Sequence, residues 1–318
     1  MLISLIIPVY NAEKYIEDCL DSVVSQLQSD TEVVIIDDCS KDKSLTLINN
    51  YTANLDKEIK QLIKVISLKE NRGVGFARKH AIDNAVGKYI CSVDPDDVIS
   101  QDYFKTISKL LKKFNPDIMQ FQISRFYHKV SDKHIMSHEL FNEGMYNIDS
   151  NIRRKIYEQN FWSFCTSVIL KSLFENIDIS SLRNCEDVYA LPLIILKAKT
   201  IYVLNKDLYY YRLNHNSLSK HESNIENTII SYKYILEKYN SILLENEILY
   251  FAIIPILRGY LTFILHNKSY RFASSEWSSY KGKLKINLSK RKRFDKISHN
   301  LFAFLGMKFL YLSKLIGK

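Results

Sequence analysis

Glycine and proline are scarce, at 8 and 5 residues in 318. So few chain breakers exclude long flexible linkers and low-complexity segments, and no internal repeat stands out. Cysteine is sparse too. Cys19, Cys39, Cys91, Cys165 and Cys185 are odd in number, scattered, and contain no CxxC pair. That spacing argues against a zinc site or a disulfide framework and leaves reduced thiols as the expectation. No stretch offers about 20 uncharged apolar residues, so no membrane-spanning helix is expected. "MLISLIIPVYN" lacks the basic start and long apolar core of a signal peptide. Acidic side chains are nearly missing from 281–318, where Asp295 stands alone against many lysines and arginines. What is present is the make-up of a soluble globular chain, with 47% hydrophobic and 25% charged residues, long enough for one large or two modest domains.

"LISLIIPVY" is an apolar run of strand length, as expected of a strand covered on both faces. "NAEKYIEDCLDSVVSQ" then carries Tyr15, Ile16, Cys19, Leu20, Val23 and Val24 at helical spacing, with Asn11 as candidate cap. "TEVVIIDDCS" reads as strand, "KDKSLTLINNYTANL" as helix and "IKVISLKEN" as strand. "GFARKHAIDNAVG" reads as a helix closed by Gly87, and "KYICSVD" as a fourth strand. Four strand–helix alternations imply an α/β fold with a mostly parallel sheet. Ligands in such sheets bind beyond the carboxyl ends of the strands. The polar clusters at 10–11, 37–40, 70–73 and 94–97 all follow strand ends and are expected to converge on one edge.

Beyond Asp117 the alternation blurs. "PDIMQFQISRFYH" and "TIYVLNKDLYYYRL" read as strands, "CEDVYALPLIILKA" as a helix start, and "NFWSFCTSVILKSLF" as strand or helix entrance. From about 222 to 270 the pattern is helical, and Pro255 is expected to kink or split the second helix.

Taken in order, "IIPVYNAEKYIEDCLDSVVSQ", "EVVIIDDCSKDKS", "ENRGVGFARKHAID", "GKYICSVDPDD", "CEDVYALPLI" and "LYYYRLNHNSLS" resemble the family 2 glycosyltransferases, over roughly residues 1 to 220. The resemblance implies a GT-A, Rossmann-like nucleotide-sugar domain at 1–220. A helical region at 221–289 and a basic amphipathic tail helix at 290–318 follow it. It implies an inverting transfer of a sugar from a nucleotide sugar, UDP-linked by expectation, to a glycan or lipid-linked glycan of surface polysaccharide or lipooligosaccharide synthesis.

The chemistry fits residue by residue. A diphosphate leaving group gains charge as the glycosidic bond breaks, and Mn²⁺ or Mg²⁺ held by carboxylates neutralises it. By resemblance Asp96 ligates that metal and Asp94 faces the metal or ribose; a solvated acidic turn, with Asp97 as helix cap, is the alternative. Pro95 stands where the family more often has Ser or Ala. Pro8, Tyr10, Asn11 and Asp38 are expected to line the base pocket, or Asp38 caps the next turn. Arg78 is expected near the diphosphate, since a guanidinium suits bidentate phosphate contact, or it pairs with Asp94. Asp187 matches the base that takes the acceptor's hydroxyl proton, supported by Glu186; otherwise the pair complements a helix dipole. Arg212 and His215 belong to a segment expected to close over the diphosphate.

In the tail, Phe294, Ile297, Leu301, Leu305, Phe309 and Leu312 recur at helical spacing among basic residues. Such a helix lies on an anionic membrane surface, or docks on the protein's own core or on a second subunit as a homodimer. A peripheral enzyme at the cytoplasmic face of the membrane is the expectation. Nucleic acid is not an expected partner, since nothing else here reads bases. Two rival classes are weighed. A dinucleotide oxidoreductase needs GxGxxG after the first strand, whereas Gly73 and Gly75 follow the third and Arg78 stands in the third glycine's place. A non-catalytic glycan- or membrane-binding module would not depend on metal or on Asp187.

Overall fold

The first two apolar runs become strands in which all seven residues are buried, while the third, at Ile63–Ser67, is only partly covered. The computed structural model describes residues 1–127, 130–136, 141–160, 162–213, 222–243, 245–283 and 296–316. In chain order these form β1 (Ile3–Val9), α1 (Ile16–Val24), β2 (Thr31–Asp37), α2 (Ser44–Ala53), α3 (Lys57–Lys60), β3 (Ile63–Ser67), α4 (Val74–Asn84) and β4 (Tyr89–Ser92). Next come β5 (Val98–Ile99), α5 (Tyr103–Phe114), β6 (Ile118–Phe126), β7 (His134–Met136), β8 (Gly144–Asn147), α6 (Ser150–Gln159), β9 (Ser167–Leu170), α7 (Glu186–Lys197) and β10 (Thr200–Arg212). The chain continues through α8 (Glu222–Ile242), α9 (Tyr250–Asn267), α10 (Tyr270–Lys283), α11 (Ile297–Leu305) and α12 (Met307–Ile316).

The chain divides into two compact units, Met1–Ile148 with Ser163–Ser217, and Asp149–Trp162 with Leu218–Lys318. The first holds one sheet in the order β3-β2-β1-β4-β9-β6-β10-β5, with β7 beside β6 and β8 beside β10. β1 runs parallel to β2 and β4, and β2 parallel to β3. The antiparallel β9 then bridges β4 to β6, which runs parallel to β10. The four expected alternations are all present, and their loops share one sheet edge. Pro8 sits in β1 beyond the residues paired with β4, where its missing N–H costs no ladder bond on that side.

Local details differ from the sequence reading. Asn11 does not cap α1, whose first turn follows Tyr15. It sits instead at φ 51°, a left-handed turn conformation that asparagine tolerates. Gly87 does not close α4, which ends at Asn84. It passes directly under β1, where an added Cβ would lie 2.6 Å from the Ser4 backbone nitrogen. The "WSFCTSVILKSLF" stretch is β9 flanked by two short 3-10 turns.

The second unit is helical. α9 lies at its centre, with Ile253, Leu257, Tyr260, Leu261 and Ile264 buried. Glu247–Asn267 is long and apolar enough to cross a bilayer, but 67% of its most apolar window is buried in the protein, as in a core helix. Pro255 does not split α9; the break falls upstream, between Ile242 and Tyr250. α6 clusters with these helices rather than with the sheet. The tail is two helices, separated at Gly306 with φ 56°. A Cβ on Gly306 would come 2.6 Å from the Trp277 indole. Phe302, Met307 and Leu310 are buried, so one face of the tail docks on the unit's own helices.

Candidate functional site

Three strand-end loops are tied into one platform. The Asn11 N–H donates to Ser40 Oγ at 3.1 Å, and Asn11 Oδ1 accepts from the Lys41 N–H at 2.8 Å. Asp38 accepts from the Arg72 and Gly73 N–H groups at 2.8 and 2.7 Å, and from the Asn71 amide at 3.0 Å. Asp37 accepts from Ser40 and Ser67. Pro8, Tyr10, Asn11 and Asp38 are therefore brought to one edge. The Asp38 carboxylate, however, is largely spent on pinning the 71–73 loop. Burial pushes its pKa up, against the lowering pull of those backbone donors.

The acidic stretch is a hydrogen-bonded turn. The Asp97 N–H donates to the Asp94 carbonyl at 3.1 Å, which places Pro95 second in the turn, where its fixed φ is favoured. The proline shapes the turn and removes no carboxylate. Asp97 is buried and is not a helix cap. Its Oδ2 accepts from the Tyr209 hydroxyl at 2.5 Å, and its Oδ1 from the Arg212 N–H at 2.7 Å. The Asp94 N–H donates in turn to the Tyr209 oxygen at 3.1 Å. Asp94 and Asp96 are half-buried.

Arg212 braces this turn from behind. Its Nε donates to the Asp96 carbonyl at 2.9 Å and its Nη2 to Asp18 at 2.9 Å, and its guanidinium lies over the Phe126 and Tyr15 rings. It is a buried strut, committed to protein partners. His215, expected beside it, lies outside the described residues.

Arg78 is a second strut. From the second turn of α4 it pairs with Asp94 at 2.5 Å and with Glu186, while Nε reaches Ser92 Oγ at 3.4 Å. Burial works against its charge, but Asp94 and the surrounding groups more than offset that, and its pKa moves up. One guanidinium thus ties the acidic turn to the first turn of α7. The glycines before it seat the chain that leads there. A Cβ on Gly75 would lie 2.3 Å from the Leu182 carbonyl oxygen, and one on Gly73, at φ 92°, 2.8 Å from Arg183 Cα. Their bareness lets the 179–183 segment lie against α4, from which Cys185, at φ 61°, turns the chain into α7.

Asp187 opens α7 beside its buried neighbour Glu186. Its pKa is pushed up to about 6, first by burial and further by Asp94, against the lowering influence of Arg78. A carboxylate with that value is ionised at neutral pH and still a competent proton acceptor. Carboxylates outnumber cations throughout the cluster. Burial first, then the charges of Asp96 and Asp94, push Asp97 well up. Burial and the same acidic turn raise the Cys19 thiol. Among the described residues no set of three His, Cys, Asp or Glu side chains forms a metal cage.

Two contributors escaped the sequence reading. Tyr209 is one of three consecutive tyrosines in a strand, and Cys165 carries no pattern at all. Cys165 donates its S–H to Asp94 Oδ2 at 3.4 Å, and burial, then the Asp94 charge, raise its pKa. The proline in "DPDD" was the available signal for the turn; nothing in the sequence pointed to Cys165.

Known proteins share this chain's sequence pattern and fold. The family described as Glycosyl transferase family 2 matches residues 4–178. Glycosyltransferase GlyA of Streptococcus pneumoniae serotype 4 is 30% identical over 229 residues, covering 69% of this chain and 31% of its own length. The chain thus spans about a third of that relative. The putative teichuronic acid biosynthesis glycosyltransferase TuaG of Bacillus subtilis is 28% identical over 222 residues, covering 70% of this chain and 82% of TuaG. A crystal structure of S. aureus TarS in complex with UDP-GlcNAc superposes with a TM-score of 0.62 at 21% identity, covering 100% of this chain and 93% of that one. The shared fold is the GT-A type.

Proposed function

Since the chain belongs to glycosyl transferase family 2, we propose that it moves a sugar from a UDP-sugar to a hydroxyl of a cell-surface polymer or its lipid-linked precursor, inverting the anomeric centre. The observation that carries this is the convergence of the Asp94–Asp97 turn and Asp187 around one buried arginine. TarS, bound to UDP-GlcNAc in its structure, and TuaG, named for teichuronic acid synthesis, support the donor and polymer classes. Five free cysteines support a reducing, cytoplasmic setting.

In the proposed reaction Asp187 accepts the proton of the acceptor hydroxyl as that oxygen attacks the anomeric carbon opposite the diphosphate. The new carbon–oxygen bond forms as the bond to the diphosphate breaks, and its electron pair leaves with UDP. Arg78 and Glu186 fix Asp187 relative to the acidic turn. Arg212 and Tyr209 hold that turn from behind. Asp96 and Asp94 supply hard oxygen donors. Mg²⁺ and Mn²⁺ are commonly held by one or two carboxylates with substrate phosphates and water, and this surplus of negative charge fits such an ion. When bound, the metal neutralises charge growing on the leaving diphosphate. Arg78 is a positioning residue here rather than a diphosphate contact, because its guanidinium is already engaged.

The test is a panel of UDP-, GDP-, CDP- and dTDP-sugars, with released nucleotide and product anomer read by NMR. UDP-sugar turnover with inversion is expected. Retention, or a preference for another nucleotide, would refute the reading.

A further inference from the structure

α11 has two unlike faces. His299 and Phe302 are buried, and Phe302 packs on Trp277 with ring centroids 5.3 Å apart. On its outer side Ile297, Leu301 and Leu305 are 74%, 40% and 37% exposed. Residues four apart lie one above the other on a helix, so the three form a stripe about 12 Å long. On α12, Tyr311 is 47% exposed and meets Tyr270, itself 46% exposed, edge to face at 5.2 Å. Tyrosine, with an apolar ring and a wet hydroxyl, suits the boundary between lipid and water.

Charge narrows the choice of occupant. Lys296 directly precedes the stripe, Lys308 is exposed just beyond it, and residues 281–318 carry eleven lysines and arginines against Asp295 alone. A second copy would set one such basic segment against another. A nucleic acid has no use for an aliphatic row. An anionic bilayer satisfies both features, since it takes apolar side chains into its interface and attracts juxtamembrane basic residues. We propose that the Ile297–Leu301–Leu305 stripe, flanked by its lysines, docks this unit on anionic phospholipid. The proposal is independent of the catalytic reading.

The test is co-sedimentation of the full chain with phosphatidylcholine vesicles, with and without phosphatidylglycerol. Two variants are compared: Ile297→Ser/Leu301→Ser/Leu305→Ser, and Lys308→Glu. Circular dichroism and thermal melting serve as controls that both are folded. Wild type is expected to partition onto phosphatidylglycerol vesicles and to be released by salt. The triple variant should lose about tenfold in partitioning, and Lys308→Glu should lose less. Wild type that ignores anionic vesicles, a triple variant that binds as wild type does, or a dimer held together by the stripe would each overturn the proposal.

Discussion

Asp187 sits in an environment at odds with its charge. Its folded pKa of about 6 lies above the ordinary 3.8, so ionisation is disfavoured in the folded state. The sign follows by linkage: its favourable contribution is complete below about pH 4 and is lost as pH rises through about 6. Asp187→Asn should therefore melt no lower than wild type at pH 7.5, and gain up to about 1–2 kcal/mol after allowance for partial exposure. Transfer should fall by more than about a hundredfold while UDP-sugar affinity holds. Turnover of the wild type should rise through about pH 6. A flat profile from pH 5 to 8, or an active asparagine variant, would remove Asp187 as base. Among single residues, the carboxylates were legible because their motifs are contiguous. Tyr209 and Cys165 were not, because each meets the turn across a long sequence separation and takes its meaning only from the sheet.

At the scale of elements, the first four strands and their helices were readable because strand and helix alternate at short spacing and β1, β2 and β4 are buried along their whole length. The antiparallel β9 was not. It has four residues between irregular turns, and its pairing is dictated by β4 and β6 rather than by its own pattern. Gly73 and Gly75 are instructive for the same reason. Their position after the third strand argues against a dinucleotide-binding GxGxxG, and the atoms nearest an added Cβ are backbone atoms of residues 179–183. Gly75→Ala should thus act at a distance. It should cost about 1–3 kcal/mol of stability and, by pushing the lead-in to α7 away, lower kcat more than donor affinity. Thermal melts and initial rates would show it. An alanine variant with wild-type kcat would mean that the close approach does not position Asp187.

Across the whole molecule, charge is segregated: a net +9 coexists with a carboxylate-rich edge on the sheet. The helical unit's membership was only partly legible. α6 joins it from the middle of the chain, which no local pattern announces, and the tail gave its amphipathic spacing but not the Gly306 break. The acidic edge carries the central claim, that a divalent ion shared with a diphosphate offsets the surplus negative charge. Ligand that binds only the folded state stabilises it, by about 2.7 kcal/mol at a hundred times its Kd. UDP with Mn²⁺ should accordingly raise Tm, and Mn²⁺ alone should raise it less. The most direct measurement is calorimetric titration of UDP-N-acetylglucosamine into wild type and Asp96→Asn, each with Mn²⁺ and with chelator. Binding to wild type should require the metal and weaken at least about tenfold in Asp96→Asn. Equal affinity in all four titrations would contradict a metal-bridged donor at Asp94 and Asp96.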